Sequence, residues 1–263
     1  MPTYAIFQVD AFAERPLSGN PAAVIPLEDW LDDDLLQRIA NENNLSETAY
    51  FKPSATGGYD LRWFTPAIEV RLCGHATLAT AHVLFEHLGA ATDTLKFHTK
   101  SGVLTVHKIA SDRYEMDLPT DRIEPIKTPA AIREALSTSV VACFRGQDDL
   151  MAVLESENQI HDLRPDFSIL RDVRARGLIC TAPGQRTDFV SRCFYPAAGI
   201  DEDPVTGSAH TTMTPYWAER IGRTELTAEQ LSQRGGKLTC QLQGTRTALI
   251  SSAATYLRGE IYV

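Results

Sequence analysis

The alternation of apolar and polar residues predicts short strands arranged around buried helices. Tyr4–Val9 and Tyr59–Phe64 alternate with the period of two that half-buried strands show, and Leu35–Asn43 is predicted as a helix. The segment His75–Leu88 differs because it is apolar nearly all round. A helix without a polar face belongs in the interior, so we expect strands wrapped around a central helix.

The remaining predicted elements continue this pattern to the end of the chain. One further helix is predicted at Phe167–Ala175. The other predicted strands are Thr48–Phe51, Leu95–His98, Val103–Ile109, Tyr114–Leu118, Lys237–Leu242, Thr247–Ser251 and Tyr256–Val263.

An internal repeat divides the chain into two similar halves. Residues 62–67 (RWFTPA) and 192–197 (RCFYPA) agree at four of six positions. Residues 74–89 align without gaps on residues 207–222, and both segments begin and end with glycine. Residues 45–49 likewise align on 178–182. Such ordered self-similarity predicts a duplicated α+β fold, with a curved sheet or barrel around a central helix in each half.

The repeat also predicts the domain boundaries. We expect an N-terminal lobe at 1–118, a linker at 119–128 that is low in apolar residues, and a C-terminal lobe at 129–263. The extreme C-terminal strand is a candidate to pack on the first lobe. Pro215 lies inside the second central helix, which should therefore be kinked or shifted relative to its counterpart.

The net charge of the chain indicates which partners to expect, and its cysteines indicate whether disulfides or a structural zinc site are expected. The 263-residue chain has a formal net charge of −9 and no runs of Lys or Arg, so neither nucleic acid nor a membrane surface is an expected partner. Its five cysteines are widely spaced, odd in number and without a C-x-x-C pair. That argues against disulfides and a structural zinc site. The N-terminus lacks signal-peptide features, so the cytoplasm is the expected location.

The starts of the two central helices are candidates for anion binding. Each begins with a glycine followed by a polar residue, Gly74-His75 and Gly207-Ser208. The first turn of a helix presents unpaired N–H groups and the positive end of the dipole. If the halves are related by a pseudo-twofold axis, both helix starts could hold one carboxylate in a shared cleft without Lys or Arg. The alternative is that the glycines only permit a tight strand-to-helix turn.

Several motif strings point to one family. They include Asn44-Leu-Ser-Glu47-Thr48-Ala, Leu72-Cys-Gly-His75-Ala-Thr-Leu-Ala79 and Glu202-Asp-Pro-Val-Thr-Gly207-Ser208-Ala-His210. With these strings the whole chain resembles the PhzF family, whose fold is related to that of diaminopimelate epimerase. The resemblance implies two pseudo-symmetric diaminopimelate-epimerase-like domains, no metal or organic cofactor, and a homodimer. The member that names the family isomerises a dihydroaromatic amino acid in phenazine biosynthesis.

The same resemblance implies roles for individual residues. Glu47 matches the family's catalytic acid/base, and His75 and Asp203 are the further candidate catalytic residues. The candidate substrate-binding residues are Asn20, Gly74, Gly207 and Ser208. Loss of solvent around a carboxylate in a closed cleft would let Glu47 take and return a proton near neutral pH.

Each assignment has a structural alternative. Glu47 could be a solvated strand-end carboxylate, Asp203 a turn-former before Pro204, and Ser208 a helix N-cap. A lone His75 at a helix start is more often structural. Cys73 suggests the two-thiol mechanism of related epimerases, but the repeat places Thr206 opposite it, and a threonine cannot act as a thiolate. We therefore expect Cys73 to be a small buried residue.

Together these features predict a cofactor-independent isomerase or epimerase that shifts a proton on a small carboxylate-bearing substrate. Two alternatives stay open: a non-catalytic small-molecule-binding protein of the same family, and a racemase that uses Cys73.

The pair His82 and His87 is not expected to bind zinc, because the two residues are five positions apart rather than four.

Overall fold

The computed structural model describes residues 1–263 and divides them into two compact units. The first comprises Met1–Asp117 and Ile250–Val263, and the second comprises Leu118–Leu249. The C-terminal segment thus belongs to the first unit. Residues 119–128, interpreted above as a linker, belong to the second unit and include a short strand at Glu124–Ile126.

Seventeen strands and six helices form the two units. The strands are β1 Thr3–Ala11, β2 Asn20–Pro26, β3 Glu47–Pro53, β4 Tyr59–Phe64, β5 Glu69–Val70, β6 Thr94–Thr99, β7 Gly102–Ala110, β8 Arg113–Pro119, β9 Glu124–Ile126, β10 Ala142–Arg145, β11 Leu150–Val153, β12 Leu178–Pro183, β13 Phe189–Tyr195, β14 Ile200–Asp203, β15 Glu225–Gln230, β16 Gly236–Gln243 and β17 Arg246–Tyr262. The helices are α1 Asp33–Asn43, α2 Gly74–Glu86, α3 Ala130–Leu136, α4 Glu157–Asp162, α5 Phe167–Arg171 and α6 Gly207–Ile221. A 3-10 turn lies at Pro196–Ala198.

The first unit is a closed barrel of eight strands. From β1 the pairing runs through β2, β3, β4, β6, β7, β8 and β17 and returns to β1. The pairs β2–β3 and β4–β6 are parallel, which leaves room for a connection between them. Closure removes the exposed sheet edges that an open sheet would leave.

Helix α2 fills this barrel. Every residue from His75 to Leu84 is buried, and the helix packs against β1, β2, β3 and β7. Its two buried threonines, Thr77 and Thr80, donate to the carbonyls of Cys73 and Ala76 at 2.6 and 2.7 Å, which satisfies hydroxyls that burial would otherwise leave unpaired. The helix ends at Glu86, two residues earlier than the apolar run predicts, because Leu88 is already exposed.

The C-terminal strand differs from its prediction. The alternation suggests two strands, whereas β17 is continuous from Arg246 to Tyr262. Its pairing with β1 shifts by one residue, from Gln8 opposite Leu257 to Val9 opposite Thr255. The β-bulge at Tyr256 reverses the phase of the inward and outward positions, which makes one strand read as two.

The second unit repeats the design with its own strands. Its pairings run from β9 through β10, β11, β12, β13 and β15 to β16, and β11–β12 and β13–β15 are parallel. Helix α6 packs against β15 and β16 and continues through Pro215 as one helix to Ile221, where Gly222 ends it at φ +78°. The helix predicted at 167–175 is shorter, ending at Arg171.

Equivalent arginines show how closely the units correspond. In the first unit, Arg62 binds both carboxylate oxygens of Glu69 at 2.8 and 2.9 Å and lies 5.1 Å from the ring of Phe64. In the second, Arg192 binds both oxygens of Glu202 at 2.7 and 2.8 Å and lies 5.2 Å from the ring of Phe194. The repeated sequence therefore builds the same forked ion pair twice.

No helix of the chain has both the length and the apolar character needed to cross a bilayer. All five cysteines are buried and unpaired with one another.

Candidate functional site

The first unit brings Asn20, Glu47, Cys73 and His75 together at one end of its barrel. Asn20 begins β2, Glu47 begins β3, and these two strands run parallel with Ala22 opposite Glu47. Cys73 precedes α2, and His75 is the second residue of that helix. Two neighbouring strand starts and one helix start thus supply all four side chains.

Glu47 and His75 form the centre of this cluster. Glu47 Oε2 lies 3.1 Å from His75 Nε2, and the side chains are only 13% and 6% exposed. Both atoms are buried, and neither has a hydrogen-bond partner of regular geometry. Buried polar atoms are nearly always hydrogen-bonded, so an unsatisfied pair marks a place where a ligand or a transferable proton can be held.

The other ring nitrogen of His75 faces different neighbours. Nδ1 lies 3.2 Å from Nδ2 of Asn20 and 3.5 Å from Sγ of Cys73. Nε2 faces the carboxylate of Glu47, so a proton on Nε2, in the neutral ring or in the imidazolium, lies on the side of Glu47.

Burial and the neighbouring groups set the protonation of this cluster. Burial disfavours the imidazolium of His75, whereas Cys73 and Glu47 favour it and raise the pKa of His75 well above its usual value. Because the Cys73 thiol is uncharged at neutral pH, the charge that stabilises the imidazolium there is that of Glu47. Burial, reinforced by the charge of Glu47, raises the pKa of the Cys73 thiol to about 11. At neutral pH the cluster therefore holds a protonated thiol beside an acid/base pair.

The starts of α2 and α6 share an uncapped geometry. The residues before them, Cys73 and Thr206, have extended backbones, and neither provides a side-chain cap. Ser208 is the second residue of α6 and does not cap it, so the N-cap alternative for Ser208 is wrong. First-turn N–H groups without a side-chain cap keep the donors and the positive dipole end that can bind an anion.

Asp203, Gly207 and Ser208 belong to the second unit. Asp203 ends β14 and is 8% exposed, and its Oδ2 accepts a 2.5 Å hydrogen bond from the hydroxyl of Thr206. This bond between residues three apart shapes the turn that leads into Gly207. The turn-forming role weighed for Asp203 is thus present.

Comparison with known proteins places this arrangement in a family. The sequence model of the protein family described as phenazine biosynthesis-like protein matches residues 9–260 of this chain. An uncharacterized isomerase of Pseudomonas aeruginosa is 51% identical over 258 residues, which cover 98% of each chain. A crystal structure of a PhzF-family phenazine biosynthesis protein from Enterococcus faecalis matches with a TM-score of 0.96 and 45% identity over all of both chains. The chain belongs to the PhzF family.

The comparisons also extend the fold beyond PhzF proteins. A hydroxyproline epimerase from Agrobacterium vitis matches with a TM-score of 0.65 and 8% identity, covering 98% of this chain and 92% of its own. The predicted α+β, epimerase-like fold is therefore confirmed. Relatives from Pseudomonas aeruginosa and Halalkalibacterium halodurans are named isomerases, which assigns the isomerase class at the level of the PhzF family.

Two features of this PhzF protein are not predicted by any motif in its sequence. Gln230 is fully buried and braces the turn before α6: its Oε1 accepts from the Thr206 N–H at 3.0 Å, and its Nε2 donates to the Asp203 carbonyl at 2.7 Å. The second feature is the ion pair of Arg176 with Asp149. Arg176 also donates a hydrogen bond to the hydroxyl oxygen of Ser208. Neither lies in a motif, since a Gln in a strand and an isolated Arg usually read as surface residues.

Glu47, Cys73 and His75 are also the one combination here with metal-ligand character, since their ligand atoms lie within 4.8 Å of one another. Glu47 faces Nε2 of His75, whereas Cys73 faces Nδ1. The two side chains thus contact different ring nitrogens, and one ion could take only one of these nitrogens as a ligand.

Proposed function

We propose that this PhzF-family protein is an isomerase that shifts a proton on a small carboxylate-bearing substrate, with Glu47 as the group that moves the proton. The observation that carries the proposal is the buried contact of Glu47 Oε2 with His75 Nε2 at 3.1 Å, in which neither atom is hydrogen-bonded. A structural ion pair would be expected to satisfy both atoms.

The proposed step uses Glu47 as base and then as acid. Its carboxylate takes a proton from a carbon of the substrate, and the electron pair of the broken C–H bond moves into the conjugated system as an enol-like intermediate. The protonated Glu47 returns the proton to another carbon or to the other face of the same carbon. General acid–base catalysis of this kind contributes about 10² to 10⁴-fold in rate.

His75 is the natural partner of Glu47 in this step. With a pKa held well above its usual value, His75 carries a proton at neutral pH and can donate it toward Glu47 or toward a substrate oxygen. The uncapped N–H groups at Gly74, in the first turn of α2, would stabilise negative charge that develops on the substrate. Asn20 would hold the ring of His75 through its contact at Nδ1.

The racemase alternative requires Cys73 to act as a thiolate. Burial raises the pKa of this thiol to about 11, and the residue is 6% exposed, which disfavours it as a base at neutral pH. The non-catalytic alternative predicts ligand binding without chemical change. Nothing in the cluster favours it, because the acid/base pair is complete.

The roles of Asp203, Gly207 and Ser208 toward the substrate remain predictions from the motif resemblance. Independence of cofactors, a homodimer and a cytoplasmic location are also predictions that follow from the family and the composition.

The test is transfer of solvent deuterium. Small amino acids, cyclic amines and unsaturated carboxylates are incubated with the protein in deuterated water and followed by NMR. We expect one substrate class to gain deuterium at carbon, and Glu47→Gln to lose at least about 10²-fold of that rate. Glu42→Gln makes the same chemical change at an exposed position of α1 and should match the wild type. Equal deuterium incorporation by Glu47→Gln would remove Glu47 from the proposed role.

A further inference from the structure

Arg176 is held rigidly in the second unit beside the start of α6. Its Nε donates to Asp149 Oδ1 at 2.9 Å, and its Nη2 donates to Asp149 Oδ2 at 2.5 Å. The side chain of Asp149 is 2% exposed, whereas that of Arg176 is 39% exposed. A forked pair of this kind fixes the plane of the guanidinium group.

An aromatic ring supports the same guanidinium from one side. The centre of the guanidinium lies 5.4 Å from the ring of Tyr195. That ring packs against Gly177, where an added Cβ would lie 2.1 Å from Cδ1 of Tyr195. The close approach needs glycine at this position, next to Arg176 in sequence, so the chain is built to seat Tyr195 beneath the arginine.

The fixed guanidinium makes a third contact, to a predicted substrate-binding residue. Nη2 of Arg176 donates to Oγ of Ser208 at 3.0 Å. A serine hydroxyl has one proton, and when its oxygen accepts from an arginine, that proton is available to another acceptor. Ser208 lies in the uncapped first turn of α6, so its O–H joins backbone N–H donors that are already there.

We propose that Arg176 is a positioning residue that orients the hydroxyl of Ser208 as a hydrogen-bond donor to a carboxylate of the substrate. Asp149 neutralises the arginine, so the effect is mainly one of orientation and not of net charge. The inference rests on the proposed function only in taking the ligand to be a carboxylate.

A binding experiment tests this role without a known substrate. Acetate is titrated into the 15N-labelled full-length protein at constant ionic strength, with chloride as the balancing anion. The amide signals of Ser208 and Ala209 are followed by NMR. We expect a saturable shift in the wild type and, for Ser208→Ala, an affinity about fivefold weaker, equivalent to the loss of one ordinary hydrogen bond.

Arg176→Lys separates positioning from structural support. A lysine keeps a cation opposite the buried Asp149, so the fold should be retained with a modest loss of thermal stability, but a lysine cannot hold both Asp149 and Ser208 in a fork. Acetate affinity should fall about fivefold, as for Ser208→Ala. Arg171→Lys makes the same change at an arginine whose only ion-pair partner, Asp201, is 3.8 Å away, and should bind acetate as the wild type does.

Two results would overturn the proposal: acetate that leaves the Ser208 and Ala209 signals unmoved in the wild type, or unchanged affinity in Arg176→Lys. Either result would leave the deuterium experiment standing, because that experiment measures turnover through Glu47 and not anion binding at α6.

Discussion

The buried histidine His82 should make the protein sensitive to mild acid. His82 lies on the same helix as His75 and is 4% exposed. Its Nδ1 lies 2.9 Å from the hydroxyl of Tyr114, and its Nε2 lies 2.8 Å from that of Thr255. With Tyr114 donating to Glu86, Nδ1 of His82 donates to Tyr114, and Nε2 accepts from Thr255, whose hydroxyl oxygen also lies 2.7 Å from Nε2 of His87. Protonation of His82 Nε2 would force Thr255 to direct its proton away from His82.

The direction and size of the effect follow from the pKa. Burial lowers the pKa of His82 from 6.5 to about 4. Between these values the unfolded chain binds a proton that the folded chain does not, so stability falls as the pH falls. Each pH unit costs about 1.4 kcal/mol, which gives roughly 2 kcal/mol between pH 6.5 and pH 5.

Urea unfolding at pH 7 and pH 5 measures this contribution. His82→Gln removes the titrating group, so the stability that the variant loses between the two pH values should be about 2 kcal/mol smaller than in the wild type. His161→Gln is the matched control, since the side chain of His161 is 74% exposed. A loss in His82→Gln equal to that of the wild type would refute the assignment of acid sensitivity to this histidine.

Three further predictions concern individual contacts. Gln230→Ala should lower the free energy of unfolding by about 3 kcal/mol, because the buried Thr206 N–H and Asp203 carbonyl lose their contacts with Gln230. The same change at the exposed Gln243 should have no such effect, and equal urea midpoints for the two variants would contradict this prediction. Gly222→Ala should cost about 1 kcal/mol from its φ of +78° alone, since an added Cβ meets nothing within 4 Å; an unchanged midpoint would show that the backbone relaxes. Cys73 should resist iodoacetamide at pH 8 in the folded protein, and rapid labelling seen by mass spectrometry would show a reactive thiol.

Most of the fold prediction rests on the internal repeat and on the apolar central helix. An apolar helix such as His75–Leu88 is favoured where it is buried on all sides, and matching segments in the second half imply the same arrangement there. Strand continuity was harder to predict. The bulge at Tyr256 shifts the alternation by one residue, and a shift in phase looks the same in sequence as a break between strands.

The candidate site was predictable only in part. Motif resemblance singled out Asn20, Glu47 and His75, and the structure places them in contact although Asn20 and His75 are 55 residues apart. Gln230 and Arg176 were not predicted, because their roles depend on partners that the fold brings near. A buried Gln gives the same sequence signal as an exposed one.

Glu47 and His75 should hold a transferable proton as one coupled pair. The most direct measurement is the titration of the His75 ring nitrogens by 15N NMR in the wild type, Glu47→Gln and Glu42→Gln. We expect the wild type and Glu42→Gln to titrate with a pKa well above 6.5, and Glu47→Gln to titrate lower because one of the neighbours that oppose the effect of burial is gone. The same pKa in Glu47→Gln as in the wild type would show that the two side chains are not coupled, and would contradict the account.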